Sequence, residues 1–220
     1  CSDKHIWFEE SRQSRENSKA AWFHWVDPKP DGSAPTNWLS FFGGRAWTWE
    51  PRRQQYYLHN FLPQQPNLNH GNPAVQKAFE EIAEFWFDLG VDGFRLDAVH
   101  TINADSIYRD NEANLNFTIG NLPQEQQPFF RQLHDSAQLN QPAIQSFSES
   151  YRKIADKYSD RFLMGELHGD DPIKASATFT SAGRLHATYN FNLLEWGGFT
   201  LDGLREAIND AVEAFNGTGR

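Results

Sequence analysis

Cysteine is almost missing from this chain, and so is any feature that would bind a membrane or a polyanion. Of its 220 residues only Cys1 carries a thiol, which excludes an internal disulfide framework and a zinc site built from cysteine pairs. No apolar run approaches the ~20 residues a membrane-crossing helix needs, so no membrane partner is expected. Basic residues are the minority: 20 Lys and Arg against 29 Asp and Glu give a net charge of -9. A nucleic-acid groove needs a basic face, so nucleic acid is not an expected partner either. The eight His include no His-Glu-x-x-His. Gly43-Gly44 lacks the phosphate-loop and dinucleotide patterns, and there is no Gly-x-Ser-x-Gly elbow. Neither a cofactor nor a metal site is expected within these residues.

What is present points to a packed catalytic domain. The chain is 39% hydrophobic and 15% aromatic, enough for a large core and unlike a disordered composition. Two short apolar runs each end in one carboxylate: Gly93-Phe94-Arg95-Leu96 before Asp97, and Phe162-Leu163-Met164-Gly165 before Glu166. Runs of this length read as buried strands. Acids at the C-terminal ends of parallel strands sit where α/β sheets and barrels put their chemistry. Two such acids are the minimum for cutting a glycosidic bond.

The remaining pattern fits an α/β fold behind a small irregular region. Residues 1–70 are rich in Trp, Pro, Gly and Arg, with a turn cluster at Asp27–Gly32 and short strand pieces at Trp47–Trp49 and Tyr56–His59. Asn72-Pro73 opens a helix, Asn as cap and Pro at the first helical position. Val75, Phe79, Ile82, Ala83 and Trp86 keep helical spacing, and Gly90 stops it ahead of a strand over Val91–Asp97. Residues 101 to about 140 read as a long, partly helical excursion, and Ala143–Tyr158 as a helix leading into the second run. Leu185–Leu194 is a candidate strand. Leu201, Leu204, Ile208, Ala211, Val212 and Phe215 mark a last amphipathic helix stopped by Gly217.

Four stretches carry a resemblance. Asp92–Asp97 resembles the nucleophile segment of the α-amylase-type glycoside hydrolases (family 13), and Met164-Gly165-Glu166 their acid/base segment. Gln65-Pro66-Asn67-Leu68-Asn69 resembles the end of the family's small inserted domain, and Ser2–Phe8 the start of that insert in its bacterial α-glucosidases. The resemblance implies a partial (β/α)8 TIM barrel, about strands 4 to 6, over residues 71–220. It also implies a small irregular α+β inserted domain over 1–70. It implies that the chain is an internal fragment: it opens on Cys1 inside a motif, and the family's upstream Asn-His and later His-Asp lie outside it. On that reading the fragment alone is inactive. Calcium sites of relatives would fall in loops upstream.

The reaction that the resemblance implies is retaining, exo-acting hydrolysis of terminal α-1,4-linked glucose from maltose-type sugars. Asp97 is the expected nucleophile, short and held by a strand end. Arg95, two residues earlier, shares its strand face and would keep it ionised and oriented. Glu166 is the expected acid/base, with Leu163, Met164 and Leu167 as an apolar wall that suits a group carrying a proton near neutrality. By resemblance His100 faces the leaving-group sugar. Gln65 and Asn69 offer amides that bridge hydroxyls or brace a loop, while Asn67 departs from the family's usual Asp. Of eight Trp, most belong to packing, and Trp47 and Trp49 near Phe41 and Phe42 are the better subsite-wall candidates. Ala98 leans towards α-1,4 linkage by resemblance, where a bulky Val accompanies α-1,6. The alternatives are an α-1,6-oligoglucosidase, a transglucosylase on the same site, a non-catalytic barrel relative, or an inactive piece. Small α-glucosides and malto-oligosaccharides are the expected partners, and cytoplasm the expected compartment.

Overall fold

A computed structural model of the protein describes residues 1–102, 104–114, 133, 138, 143–167, 172–189 and 200–216. It divides into two compact units. The first comprises 1–76 and the described part of 101–141, and the second 77–100 and the described part of 142–220. The division is therefore discontinuous in sequence, because the segment after Thr101 packs with the first unit. Trp38 Nε1 donates to the Arg109 carbonyl at 2.7 Å, and Asn37 and Asn111 exchange side-chain-to-backbone bonds at 2.8 Å.

The first unit holds helix α1 (Ile6–Ser11) and an antiparallel sheet of β1 (Trp25–Val26), β2 (Trp47–Glu50) and β3 (Gln55–Leu58), in the order β1-β3-β2. Trp38, Trp47, Leu58, Ala34 and Ala46 form its core, with Tyr108 packed against them. Two charges are buried here with partners, as burial of charge requires. Glu50, 3% exposed, accepts two bonds from the Arg12 guanidinium at 2.9 and 2.5 Å. Arg53, 5% exposed, donates to the carbonyls of Ser11 and Ser14 at 2.6 and 2.9 Å and to Gln55 Oε1.

Two buried histidines make this unit sensitive to acid. His24 Nδ1 lies 3.0 Å from Tyr108 Oη, and burial pulls His24 down to about 4. Burial, with His24 as a second cause, pulls His70 down to about 3. Both are neutral in the folded chain at pH 6 and bind protons more readily once unfolded. Their contribution is whole above the unfolded value of 6.5 and is lost as pH falls towards those folded values. At pH 5 each should cost roughly 2 kcal/mol of stability relative to pH 7. Denaturant unfolding followed by tryptophan fluorescence should show this loss, and His24→Gln should remove about half of it. An undiminished loss in that variant would refute the assignment.

The second unit alternates helix and strand. Helix α2 (Pro73–Asp88), which enters this unit from Lys77 onward, precedes β4 (Gly93–Leu96), α3 (Ala143–Ala155) precedes β5 (Phe162–Gly165), α4 (Pro172–Phe179) precedes β6 (Ala187–Thr188), and α5 (Leu201–Asn216) follows. The three strands form one parallel sheet, β4-β5-β6. Local chemistry sets the ends of α2. Asn72 Oδ1 accepts the Ala74 amide at 2.9 Å. Gly90, at φ 94, ends the helix as its amide bonds Phe87 O at 2.9 Å and the Val91 amide bonds Trp86 O at 3.1 Å.

Burial departs from the sequence pattern in two places. Val75, Ala83 and Phe87 form the buried stripe of α2, whereas Ile82 and Trp86 are exposed. The helix carries apolar residues on more than one side, and the four-residue row is the covered one. Strand β4 is only half-buried, and Phe162 at the head of β5 is exposed. Among the described residues β4 has a strand neighbour on one side only. Gly217 and the far half of Leu185–Leu194 lie outside the described residues, as does most of 115–142. Among the described residues, no helix is long and apolar enough to cross a membrane.

Candidate active site

Register, rather than sequence proximity, assembles the site. Leu96 pairs with Gly165, and Gly165 with Thr188. The next residue on each strand is therefore Asp97, Glu166 and Tyr189, three side chains at the C-terminal edge of one parallel sheet. Hydrogen bonds beyond the strands hold that edge: Glu166 N donates to Leu96 O and Val99 N to Glu166 O, both at 3.0 Å, and Tyr189 N to Gly165 O at 3.1 Å.

Glycine makes the approach possible. A Cβ on Gly93 would stand 2.0 Å from the Phe162 carbonyl oxygen, and one on Gly165 2.7 Å from Leu185 Cδ1. Both are closer than side-chain carbons come to other atoms. This is the physical content of the glycine in each acid-bearing run. Past Asp97 the chain turns through Ala98, whose φ of 43 is left-handed and uncommon for a residue with a Cβ. The turn directs the Ala98 amide at Glu166 Oε2, 3.2 Å away.

Arg95 joins the two acids. One terminal nitrogen of its guanidinium bonds Asp97 Oδ1, and the other bonds Glu166 Oε2 at 2.6 Å. Two hydrogen bonds across one guanidinium limit the nearest carboxylate oxygens to a separation of roughly 7 Å. The Arg95 guanidinium also lies 5.7 Å from the centre of the Tyr189 ring. Bonds to Asp97 and Tyr189 and the charge of both acids push Arg95 further up from its ordinary value. The side chain of Asp97 is 75% exposed and that of Glu166 25%, so the former faces open solvent and the latter sits deeper. Leu163 and Leu167 are fully buried nearby in sequence, but the polar face of Glu166 meets a guanidinium.

The other expected residues divide between the two units. His100 belongs to the same unit and is buried, with Nδ1 3.3 Å from the Glu166 carbonyl oxygen. Gln65 and Asn69 lie in the first unit. Gln65 Oε1 accepts the Leu62 amide at 3.2 Å, and Asn69 bridges the Ala21 carbonyl and the Gly71 amide at 3.2 and 3.1 Å. Both amides therefore brace loops. Asn67 does the same, its Oδ1 accepting the Asn60 amide at 3.0 Å. Trp47 is 5% exposed, with its indole N–H on Thr36 Oγ1 at 2.7 Å, so it is core and cannot be the subsite wall expected of it. Phe41 stacks on Phe61 at 5.3 Å, while Trp49 is 40% exposed.

Tyr189 is the neighbour of the acids that sequence reasoning passes over. It stood inside a longer expected strand, Leu185–Leu194, as one alternating residue among ten. A strand ending at Thr188 makes it a strand-end residue, the same signal that singled out Asp97 and Glu166. Among the described residues, no group of three or more His, Cys, Asp or Glu is arranged to hold a metal ion.

Comparison with known proteins finds relatives over most of the chain. The alpha-amylase catalytic-domain family matches residues 1–209. A probable alpha-glucosidase of Rhizobium meliloti (strain 1021) is 41% identical over 213 residues, 95% of this chain and 38% of that protein. An oligo-1,6-glucosidase of Heyndrickxia coagulans is 36% identical over 197 residues, 88% of this chain and 33% of that protein. Among solved structures, the alpha-glucosyl transfer enzyme XgtA superposes with a TM-score of 0.89 at 40% identity, over 97% of this chain and 40% of that one. The chain thus spans between a third and two fifths of the length of these three proteins.

Proposed function

This chain belongs to the α-amylase catalytic-domain family, and from that premise we propose that it carries the catalytic pair of a retaining α-glucosidase. The observation that supports the reading most directly is the Arg95 guanidinium bonded to both Asp97 and Glu166 at the ends of neighbouring parallel strands. Residues 71–220 then form part of the family's (β/α)8 barrel, and residues 1–70 its small inserted domain.

The mechanism follows from what each group can do. Asp97, open to solvent on one side, attacks the anomeric carbon of a terminal glucose. Glu166 gives its proton to the departing glycosidic oxygen, and a glycosyl ester forms on Asp97. Glu166 then takes a proton from water, which attacks the ester and frees Asp97. Two inversions leave the α configuration intact. Arg95 holds the nucleophile aimed through its hydrogen bond to Oδ1, and the fork geometry lets it do so while contacting Glu166. The separation limit of roughly 7 Å includes the ~5 Å that a retaining pair requires.

Terminal α-1,4-linked glucose of maltose-type sugars is the proposed substrate, hydrolysed in the cytoplasm. A second reading has α-1,6 specificity, since proteins named oligo-1,6-glucosidase match at similar identity. One side chain such as Ala98 discriminates by only ~1–3 kcal/mol. Proton NMR of the complete protein's first turnover of maltotriose should show α-glucose before mutarotation. First-formed β-glucose would refute double displacement. A kcat/KM for isomaltose above that for maltose would exchange the first linkage for the second.

A further inference from the structure

An open groove of about 550 Å³ lies wholly within the first unit, lined by Arg15, Asp27, Pro28, Trp49, Pro51 and Gln54. None of these residues belongs to the acid pair's unit. We propose that this groove, built from residues other than the acid pair, is a binding site for a neutral glycoside.

The apolar part is a ring surface of stated origin. Trp49 is 40% exposed. Its position is held by the cross-strand pair with Tyr56, ring centres 5.1 Å apart in a T-shape. The Tyr56 hydroxyl is tied in turn to the Gly32 carbonyl at 3.1 Å. Pro28 and Pro51 extend this surface with rigid rings. A pyranose carries C–H groups on one face and hydroxyls around its edge, so it meets such a surface with its apolar face.

The polar part is an ion pair fixed from behind. Arg15 Nε donates to the Arg53 carbonyl and Nη2 to the Gln54 carbonyl, both at 2.8 Å. Those bonds clamp the hairpin turn where Gln54 takes a left-handed φ of 51. Arg15 Nη2 also pairs with Asp27 Oδ1 at 2.9 Å, and Gln55 Nε2 donates to the same oxygen at 3.2 Å. Arg15 and Asp27 keep 47% and 64% of their side chains exposed. Beyond those bonds, Nη1 of Arg15 is a further donor and Oδ2 of Asp27 a further acceptor on two residues that line the groove. That arrangement matches two adjacent hydroxyls of a sugar ring, one accepting and one donating.

Charge chooses the ligand class. An anionic ligand on Arg15 would meet the Asp27 carboxylate, and a cation on Asp27 would meet the guanidinium. A neutral polyol with one apolar face is the chemistry that satisfies both halves of the groove. The clamped turn and braced indole mean that little ordering is required on binding. The proposal goes beyond the catalytic reading and stands on different residues.

Fluorine NMR of the complete protein labelled with 5-fluorotryptophan tests it, in an Asp97→Asn background that prevents turnover. The Trp49 resonance is assigned by its loss in Trp49→Phe. Titration with maltotriose should move it saturably, with a Kd of about a millimolar. Asp27→Asn should weaken that response ~10-fold, and so should Arg15→Ala. Calorimetric titration should lose the same component in Trp49→Ala, or weaken it in Trp49→Phe if the alanine variant does not fold. A resonance unmoved at ~50 mM sugar, or unchanged affinity in Asp27→Asn, would overturn the proposal. Tighter binding of a glucuronide than of the neutral methyl glucoside would overturn it too. None of these failures would touch the assignment of Asp97 and Glu166.

Discussion

Asp97→Asn should reduce turnover of α-glucosides by the complete protein ~10⁴-fold or more, with no change in fold. The amide oxygen keeps a hydrogen bond to Arg95, and the shape is preserved. What is lost is the negative oxygen able to form a glycosyl ester. Because the Asp97 side chain is 75% exposed, its ion pair adds little to stability. The melting temperature should therefore stay within a degree or two. An Asp97→Gly variant supplied with azide gives a sharper readout. Azide would take the vacated place and attack the anomeric carbon in a single inversion, giving β-glucosyl azide from an activated α-glucoside. Turnover of Asp97→Asn within tenfold of the parent would remove Asp97 from the nucleophile's role.

Glu166→Gln should cost ~10²–10⁴-fold, and the cost should depend on the leaving group. Maltose leaves as a poor alkoxide and needs the proton, so it should be hit hardest. A 4-nitrophenyl α-glucoside leaves without one, so its first step should survive and the glycosyl–Asp97 ester should accumulate. Mass spectrometry of the quenched protein would then show the added glucosyl mass. Azide needs no base to attack that ester, and it should restore turnover and yield α-glucosyl azide with configuration retained. The two variants are thus told apart by the anomer each azide product carries. Equal losses for maltose and the nitrophenyl glucoside would mean that Glu166 donates no proton. The glutamine can still accept the Ala98 amide, 3.2 Å from Oε2 in the parent, so the turn after β4 should persist.

Much of this was legible from residue order because the signals are local. Asn72-Pro73 and Gly90 mark the ends of α2 through bonds that reach two to five residues. The two apolar runs closing on Asp97 and Glu166 become β4 and β5 within a residue or so. Arg95 and Asp97 share a face because strand side chains alternate with period two. Where local pattern admits two answers, burial went its own way. Trp47 and Trp49 sit two positions apart on one strand, yet one is core and the other lines a groove. Ile82 and Trp86 keep helical spacing with Val75, yet the neighbouring row of α2 is the covered one.

Residue order alone determined which acids stand at strand ends, where α2 begins and stops, and to which family the chain belongs, because caps, periods and short motifs act over a few residues. Tertiary structure decided that Arg95 reaches Glu166 across 71 positions and that Tyr189 joins them. It also decided that Gln65 and Asn69 brace loops in the other unit. The physical reason is that strand register and burial depend on what lies opposite each residue, and a residue's opposite number is set by packing across distant segments.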